Sequence, residues 1–207
     1  MTAGSGFFVT IEGIEGAGKS SLSKALFERL SLHGREIVVT REPGGTKLGD
    51  SIRRVLLESE KLSDRAELLL FEAARAQHID DVILPALGRG AVVICDRYTD
   101  SSIAYQSGAR GIDAELVEEL NRFATNGLSP NLTILLDLPA EVGLARQTKV
   151  DRISSEGIAF HESVRRGYLN QASAEPQRFV IVDATRSFDE VTREVTGIIA
   201  AKAEVRL

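Results

Sequence analysis

The chain alternates between short apolar runs and longer stretches in which apolar residues recur every three or four positions. The apolar runs are rich in β-branched residues, which is typical of buried strands. They cover residues 7–11, 36–40, 91–95, 132–138 and 179–182. The helical spacing covers residues 19–33, 64–87, 113–126, 156–174 and 188–202. Strand and helix therefore alternate along the chain.

Alternating strands and helices predict an α/β protein. Parallel strands need crossover connections, and right-handed helical crossovers cover both faces of the sheet. We expect a three-layer fold with a five-stranded parallel sheet, and a single domain over residues 1–207, a length that suits one core. In such sheets ligands bind beyond the carboxyl ends of the strands, so the residues after each apolar run are the candidates for function.

The residues after the first apolar run form a phosphate-binding motif. Residues 13–20 read GIEGAGKS, a P-loop pattern that opens directly into a helix. Glycines let successive backbone N–H groups turn toward phosphate oxygens, and the helix N-terminus adds its dipole. We expect Lys19 to bridge the β- and γ-phosphates of a nucleoside triphosphate and Ser20 to ligate Mg²⁺. The expected ATP-binding residues are Gly13, Ile14, Glu15, Gly16, Ala17, Gly18, Lys19, Ser20 and Ser21.

Charge and composition exclude several other classes of protein. The formal net charge of -5 argues against a nucleic-acid partner, because proteins that track a phosphate backbone need clustered Lys and Arg. Cys95 is the single cysteine, so no intrachain disulfide can form, and a reducing cytoplasm is the expected compartment. The sequence contains no run of about 18 apolar residues and no signal-peptide pattern, so we expect neither a membrane span nor secretion.

Further motifs resemble those of one kinase family. They are REPGGT at residues 41–46, Phe71 with Arg75, DRY at 96–98, DRI at 151–153, Phe160 with His161, and Tyr168. Together with the P-loop they make the chain similar to the bacterial type of thymidylate kinase, a P-loop nucleoside monophosphate kinase with a P-loop NTPase fold. The resemblance implies ATP-dependent phosphorylation of dTMP to dTDP, which supplies dTTP for DNA synthesis. It also implies Mg²⁺ as cofactor and a homodimer as the usual assembly.

Arg97 and Asp96 follow the third apolar run and indicate a second anion site. At the carboxyl edge of a sheet, the Arg97 guanidinium can grip a monophosphate through paired N–H bonds, although a surface ion pair would also explain an arginine here. Asp96 stands where such folds place a carboxylate directed at Mg²⁺. The resemblance implies that Arg97 is the arginine that contacts the nucleotide phosphate.

The other acceptor residues rest mainly on the resemblance. Phe71 and Arg75 are four residues apart and so share a helix face, and the family stacks thymine on this phenylalanine and hydrogen-bonds it through this arginine. Taken alone, Phe71 is more often a core residue. The resemblance further implies Arg53 for the phosphate, Ser102 for the base, Tyr105 for the deoxyribose, and Glu42 with Pro43 for the shape of the pocket. A solvated helix face would explain Arg53 almost as well.

The lid is the part in which this chain departs from the family pattern. Bacterial members close an arginine-rich lid over ATP, whereas residues 146–152 here read RQTKVDR. The lid near residues 146–156 is short and poor in arginine, and the P-loop carries Glu15 and no arginine. The cation that stabilises the transition state is therefore sought among Arg146, Lys149 and Arg152, with Arg152 preferred and Arg146 next. Glu15 could orient that cation or a water molecule, or face solvent.

Two other functions are compatible with the P-loop alone. A different nucleoside monophosphate kinase would share the fold, but residues 41–46 and the Phe71/Arg75 pair favour thymidylate. A GTP-dependent switch should carry an Asn-Lys-x-Asp segment after a late strand, and residues 136–139 read LDLP instead. The apolar-faced helix over residues 64–87 is the candidate interface of a homodimer.

Overall fold

The five predicted strands form one parallel sheet. The computed structural model describes residues 6–31, 34–147 and 151–205. The strands are β1 (Phe7–Glu12), β2 (Ile37–Arg41), β3 (Val92–Asp96), β4 (Leu132–Asp137) and β5 (Phe179–Asp183), and their order in the sheet is β2-β3-β1-β4-β5. Every neighbouring pair is parallel, which confirms the predicted five-stranded sheet.

Helices connect the strands and surround the sheet. They are α1 (Lys19–Leu30), α2 (Lys47–Glu58), α3 (Asp64–His78), α4 (Leu84–Gly88), α5 (Thr99–Ser102), α6 (Ala114–Thr125), α7 (Ala140–Ala145), α8 (Ile158–Ala174) and α9 (Phe188–Lys202). α1 packs against α9, and α3 packs against both α2 and α6. Among the described residues, no helix combines the length and the apolar character that a bilayer crossing requires.

The helix predicted over residues 64–87 is interrupted by a π-helical turn. α3 ends at His78 and α4 begins at Leu84, with Ile79–Ile83 wound more loosely between them. π-Helical turns are rare in proteins, and those that occur are often found near functional sites. Ile79 and Ile83 are buried in one cluster with residues of β3. The apolar spacing predicted the helical character of this segment, but the change of winding depends on its packing against the sheet.

Alternate residues of the central strands face two different cores. In β3, Val92 and Ile94 belong to a large cluster that includes Leu26 of α1, whereas Val93 and Cys95 belong to a smaller cluster with the π-helical turn. β3 is buried on both faces because helices pack on both sides of the sheet. This explains why its sequence is continuously apolar instead of alternating.

The register of the sheet brings three loops to one edge. Ile11 of β1 and Arg41 of β2 both pair with Asp96 of β3. The chain therefore leaves these strands at the same level. As a result, the P-loop and the segments that follow β2 and β3 begin side by side at the carboxyl edge, where ligands bind in parallel sheets.

Candidate active site

The P-loop makes a tight turn between β1 and α1. Gly16 and Gly18 have φ values of 72° and 92°, in the left-handed region that favours glycine. A Cβ atom on Gly16 would lie 1.8 Å from the carbonyl oxygen of Gly143 in α7, so a side chain there would collide with backbone. α1 begins at Lys19 and has no acidic residue in its first turn. The loop and the positive end of α1 therefore form an anion site.

The Lys19 side chain lies against the P-loop. It is buried, and its Nζ atom donates to the carbonyl oxygens of Gly13, at 3.0 Å, and Ile14, at 2.7 Å. Burial and the neighbouring Arg97 charge lower the pKa of Lys19 to about 8. Two cations close to one another are unfavourable, and a polyphosphate bound between them would relieve the repulsion.

Ser20 and Asp96 supply oxygen atoms beside Lys19. Ser20 Oγ donates to Asp96 Oδ2 at 2.5 Å, and Asp96 is the last residue of β3. A hydroxyl next to a carboxylate is a donor set that suits Mg²⁺. Because Ser20 directly follows Lys19, a metal ion held here would adjoin phosphates bound by the loop. The predicted pair of ligands thus fits a hard divalent cation.

A cavity of about 220 Å³ joins the P-loop to the segments after β2 and β3. It brings together many of the residues predicted to bind the donor phosphates or the acceptor. Those residues are Glu15, Gly16, Lys19, Ser20, Glu42, Pro43, Arg53, Phe71, Asp96, Arg97, Ser102 and Tyr105. The wall also includes Arg41, Leu57, Ser101, Gln106, Asp151 and Ile153, which were not predicted as site residues. Leu57 belongs to α2, Arg41 ends β2, and Ser101 and Gln106 lie in and after α5, so these residues reach the cavity through elements that pack around the sheet edge.

Arg97 reaches this cavity from a strained backbone position. Its φ of 74° lies in the left-handed region, where a long side chain is uncommon. Its N–H donates to the Ile11 carbonyl oxygen at 3.1 Å, and its own carbonyl oxygen accepts from Cys95 Sγ at 3.1 Å. Burial raises the pKa of the Cys95 thiol well above its usual value, which keeps this donor protonated. Neighbouring groups therefore hold the turn that follows β3.

Glu15 of the P-loop pairs with Arg97 at the cavity wall. Glu15 Oε1 accepts from Arg97 Nη2 at 2.7 Å, and Oε2 accepts from the Tyr105 hydroxyl at 2.5 Å. Nδ1 of His161 lies 3.1 Å from Oε2 but lacks the geometry of a hydrogen bond. Although burial opposes ionisation, the Arg97 charge holds the pKa of Glu15 well below its usual range. Glu15 is therefore the ionised partner of Arg97, and only 17% of its side chain is exposed.

A second carboxyl group, that of Glu12 at the end of β1, lies beside the Arg97 turn. It is fully buried and contacts the Tyr98 N–H at 2.7 Å, the Ser101 hydroxyl at 2.7 Å and the Tyr168 hydroxyl at 2.9 Å. Burial and the Asp100 carboxylate raise the pKa of Glu12 to about 8. The sequence shows that Glu12 adjoins the P-loop, but its partners come from distant segments that only the fold brings near.

Arg75 lies behind the cavity and does not line it. The side chain is 1% exposed. Its guanidinium donates to Glu42, Glu72, Ser102, Asn121 and the carbonyl oxygen of Tyr98. Burial opposes the charge, but the Glu72 and Glu42 carboxylates raise the pKa of Arg75 above its usual value. Phe71 lines the cavity while Arg75 supports its wall, and a hydrogen bond from Arg75 to the base stays a prediction.

Arg53 of α2 faces the cavity together with two other arginines. Arg53 Nη1 donates to the Pro43 carbonyl oxygen at 3.1 Å. Burial and the charge of Arg41 lower the pKa of Arg53. Arg41, Arg53 and Arg97 thus line one cavity. An acceptor phosphate bound there would neutralise part of their positive charge.

The two described arginines of the lid lie outside this cavity. Arg152 Nη1 pairs with Glu67 Oε2 at 2.7 Å, and its Nε donates to the Leu56 carbonyl oxygen at 2.9 Å. Arg146 Nη1 donates to the Ala184 carbonyl oxygen at 2.8 Å. The third candidate, Lys149, lies outside the described residues. The choice of Arg152 as the cation of the transition state therefore stays a prediction.

A second cavity, of about 460 Å³, lies on the other side of the P-loop and has Gly16 in common with the first. Its lining consists of Gly16, Ala17, Gly18, Leu22, Leu136, Arg146, Ala184, Arg186, Phe188 and Val191. An aromatic ring, two guanidinium groups and apolar side chains suit a planar heterocyclic base. Arg186 and Phe188 were not predicted. They follow β5, so the rule that ligands bind beyond the carboxyl ends of strands could have pointed to them.

Three potential metal ligands lie together behind the loop that follows β2. Ligand atoms of Glu42, His78 and Cys95 are within 4.8 Å of one another, and all three residues are buried. The two ring nitrogens of His78 contact Glu42 Oε1 at 2.9 Å and Thr40 Oγ1 at 2.6 Å, and Cys95 donates to the Arg97 carbonyl oxygen. Because these groups already have protein partners, the cluster supports the loop and does not offer free ligand atoms.

The P-loop with its lysine and hydroxyl, and the arginine-lined cavity that adjoins it, define a P-loop phosphotransferase. The chain belongs to the thymidylate kinase family, because the family model for thymidylate kinase matches residues 11–195. The thymidylate kinase of Pseudomonas putida strain GB-1 is 48% identical over 205 residues, which cover 97% of this chain and 98% of the relative. That of Citrifermentans bemidjiense is 46% identical over 209 residues, which cover 96% of this chain and 91% of the relative.

A solved structure supports the same assignment. The crystal structure of thymidylate kinase from Ehrlichia chaffeensis has a TM-score of 0.80 at 33% identity, and the match covers 94% of this chain and 99% of that one. The fold and the family that the motifs predicted are therefore confirmed. The activity of this family is the phosphorylation of dTMP to dTDP with ATP, and the chain is a phosphotransferase of that kind.

Proposed function

We propose that this chain transfers the γ-phosphoryl group of ATP to dTMP in one in-line step, in the cavity between Lys19 and Arg97. The observation that carries the proposal is that one cavity is lined both by the P-loop and by arginines from the end of β2, from the segment after β3 and from α2. Donor phosphates on the loop and an acceptor phosphate at Arg97 would meet there. A covalent enzyme intermediate is not needed, because the acceptor oxygen is already an anion.

Positioning and charge neutralisation carry the rate in this proposal. The transition state of phosphoryl transfer spreads negative charge over the transferred group. Lys19 supplies positive charge from the donor side, and Arg97 supplies it from the acceptor side. A strong general base is dispensable for an acceptor that is already ionised.

Ser20 and Asp96 would hold Mg²⁺ beside the donor phosphates. The bound ion would neutralise part of the charge on the β- and γ-phosphates. Asp96 also fixes the Ser20 hydroxyl through their 2.5 Å contact, so both oxygens stay at the end of β3 and the start of α1.

The acceptor would occupy the part of the cavity lined by Phe71. The Phe71 ring offers a face on which thymine can stack. Arg97 and Arg53 would bind the monophosphate, and Tyr105 would lie beside the deoxyribose. Because the Tyr105 hydroxyl is held by Glu15 at 2.5 Å, it cannot move aside freely for a 2′-hydroxyl group.

Arg152 is the proposed cation of the lid. To reach the transferred group it would exchange its bonds to Glu67 and the Leu56 carbonyl oxygen for the phosphate. Closure of the lid would move Arg152 from these partners to the phosphate. It would also exclude water from the site, which limits hydrolysis of ATP.

The cavity that contains Arg146 would hold the adenine of ATP. Replacing Arg146 by alanine is expected to raise the KM for ATP about fivefold to tenfold, because a guanidinium against the base is lost, while the KM for dTMP stays within about twofold. Steady-state kinetics with each substrate varied in turn measures both values. Arg166→Ala, which removes an exposed arginine from α8, is the matched control. A fall in kcat with an unchanged KM for ATP would instead assign Arg146 to the transition state.

A panel of acceptors tests the proposed function. We expect kcat/KM for dTMP to exceed that for AMP, GMP and UMP at least about a hundredfold, since a site built around one base leaves polar groups unpaired with another. Coupled ADP release with ATP and Mg²⁺ measures each rate. Comparable turnover of any of these three nucleotides would reject dTMP as the specific acceptor.

We further propose that the chain forms a homodimer through α2, α3 and α6. These helices pack side by side and carry exposed apolar side chains at Leu48, Val55, Leu69, Leu116 and Phe123, of which Phe123 is 85% exposed. Such a surface is costly to leave in water. Light scattering after size exclusion should give about twice the chain mass of 22.4 kDa, and the monomer mass would contradict the dimer.

A further inference from the structure

We infer that Tyr168 of α8 is a positioning residue for the acceptor phosphate and acts through Arg97. The inference rests on the proposed role of Arg97 as a ligand of that phosphate. Tyr168 is completely buried and does not line the cavity in which the acceptor would bind. Its effect on the substrate must therefore pass through a side chain that does face the cavity.

The hydroxyl group of Tyr168 lies between Arg97 and Glu12. Arg97 Nη1 donates to the hydroxyl oxygen at 3.2 Å, and the hydroxyl donates to Glu12 Oε2 at 2.9 Å. A hydroxyl group has one hydrogen and two lone pairs. The Tyr168 oxygen also lies 2.7 Å from Ser101 Oγ, in a contact where either hydroxyl can donate. Glu12 and Ser101 thus share the hydrogen bonding on one side of the Tyr168 hydroxyl, and a lone pair of its oxygen accepts from the guanidinium of Arg97.

Ser101 of α5 also lies between Glu12 and Arg97. Its hydroxyl donates to Glu12 Oε2 at 2.7 Å, and its oxygen accepts from Arg97 Nη1 at 3.4 Å. The Gly13 carbonyl oxygen accepts from the same nitrogen at 3.1 Å. Arg97 Nη1 is thus anchored by oxygen atoms from α8, α5 and the P-loop, whereas Nη2 bonds Glu15 at the cavity wall. This anchoring fixes which edge of the guanidinium faces the acceptor.

The backbone at Arg97 depends on the same carboxyl group. Glu12 Oε1 accepts from the Tyr98 N–H at 2.7 Å, directly after the left-handed residue. A residue in this backbone region keeps its conformation only where the surroundings determine it. One buried carboxyl group therefore holds the main chain that follows Arg97 and the hydroxyls that receive its side chain. Loss of the Tyr168 hydroxyl removes one of these constraints without opening a large cavity.

Tyr168→Phe tests the inference directly. We expect the KM and the calorimetric Kd for dTMP to rise about tenfold, because a hydrogen bond to a charged group is lost, while the values for ATP stay within about twofold. The matched control is Thr196→Val, which removes a buried hydroxyl whose hydrogen bond lies within α9. Both variants should unfold at slightly lower temperature, but only Tyr168→Phe should weaken dTMP binding. Equal weakening for both nucleotides, or none for dTMP, would overturn the positioning role.

A double-mutant cycle with Arg97→Ala identifies the route. If Tyr168 acts through Arg97, adding Tyr168→Phe to Arg97→Ala changes the affinity for dTMP no further. A further tenfold loss in the double variant would show a route that bypasses Arg97 and would reject the inference. The cycle also separates the two proposals. Unchanged dTMP binding in Arg97→Ala would refute the role of Arg97 itself, whereas weakened binding there with no effect of Tyr168→Phe refutes the positioning role alone.

Discussion

Replacing Lys19 by alanine is expected to lower the turnover of dTMP phosphorylation at least about a thousandfold, because the donor side of the site loses its cation. The ammonium group lies against the carbonyl oxygens of Gly13 and Ile14, where the P-loop meets the acceptor cavity. Coupled ADP release at saturating ATP and dTMP measures the loss.

Lys24→Ala is the control for this experiment. It removes the same charge from an exposed position on the same helix, α1, and should leave turnover within about twofold. Turnover of Lys19→Ala above about a tenth of the wild-type value would contradict the role of Lys19 in transfer.

Replacing Arg97 by alanine is expected to lower kcat/KM for dTMP about a hundredfold to a thousandfold, while the Kd for ATP changes less than about threefold. The guanidinium is the acceptor-side cation that the structure anchors most firmly, with Glu15 and Tyr168 among its partners. Steady-state kinetics and calorimetric titration of each nucleotide separate the two effects.

Arg193→Ala is the corresponding control, since Arg193 is exposed on α9, away from both cavities. Removing Arg97 leaves Glu15 with the Tyr105 hydroxyl as a partner, so the P-loop keeps part of its support. Equal losses of ATP and dTMP affinity in Arg97→Ala would indicate a collapse of the loop and would contradict a specific acceptor role.

The strands were predictable because their signal is local. The run over residues 91–95 is apolar on both faces, and that property can be read from a few consecutive residues. The break between α3 and α4 was not predictable in this way. The apolar spacing of residues 64–87 is helical throughout, and the π-helical turn at Ile79–Ile83 reflects packing on the sheet.

The site residues also differ in whether local sequence or tertiary packing determines their role. Phe71 and Arg75 share a helix spacing, yet Phe71 lines the cavity and Arg75 is buried among carboxylates. Which of two neighbouring side chains reaches a ligand depends on what packs around them. Arg186 carried no motif signal of its own, and Tyr168 was part of the family resemblance with no role assigned to it. Their positions follow from the segment after β5 and from the packing of α8 against α5.

The sequence by itself determined the class of fold, the phosphate loop at residues 13–20 and the resemblance to thymidylate kinases. Each of these depends on residue types at short, fixed spacings, which local backbone chemistry makes recognisable. Only the tertiary structure decided that Glu15 pairs with Arg97, and that Tyr168, hydrogen-bonded to Glu12, contacts the same arginine from the buried side of the cavity wall. Those contacts join segments far apart in the chain, and sheet register and helix packing, which no short motif encodes, bring them together.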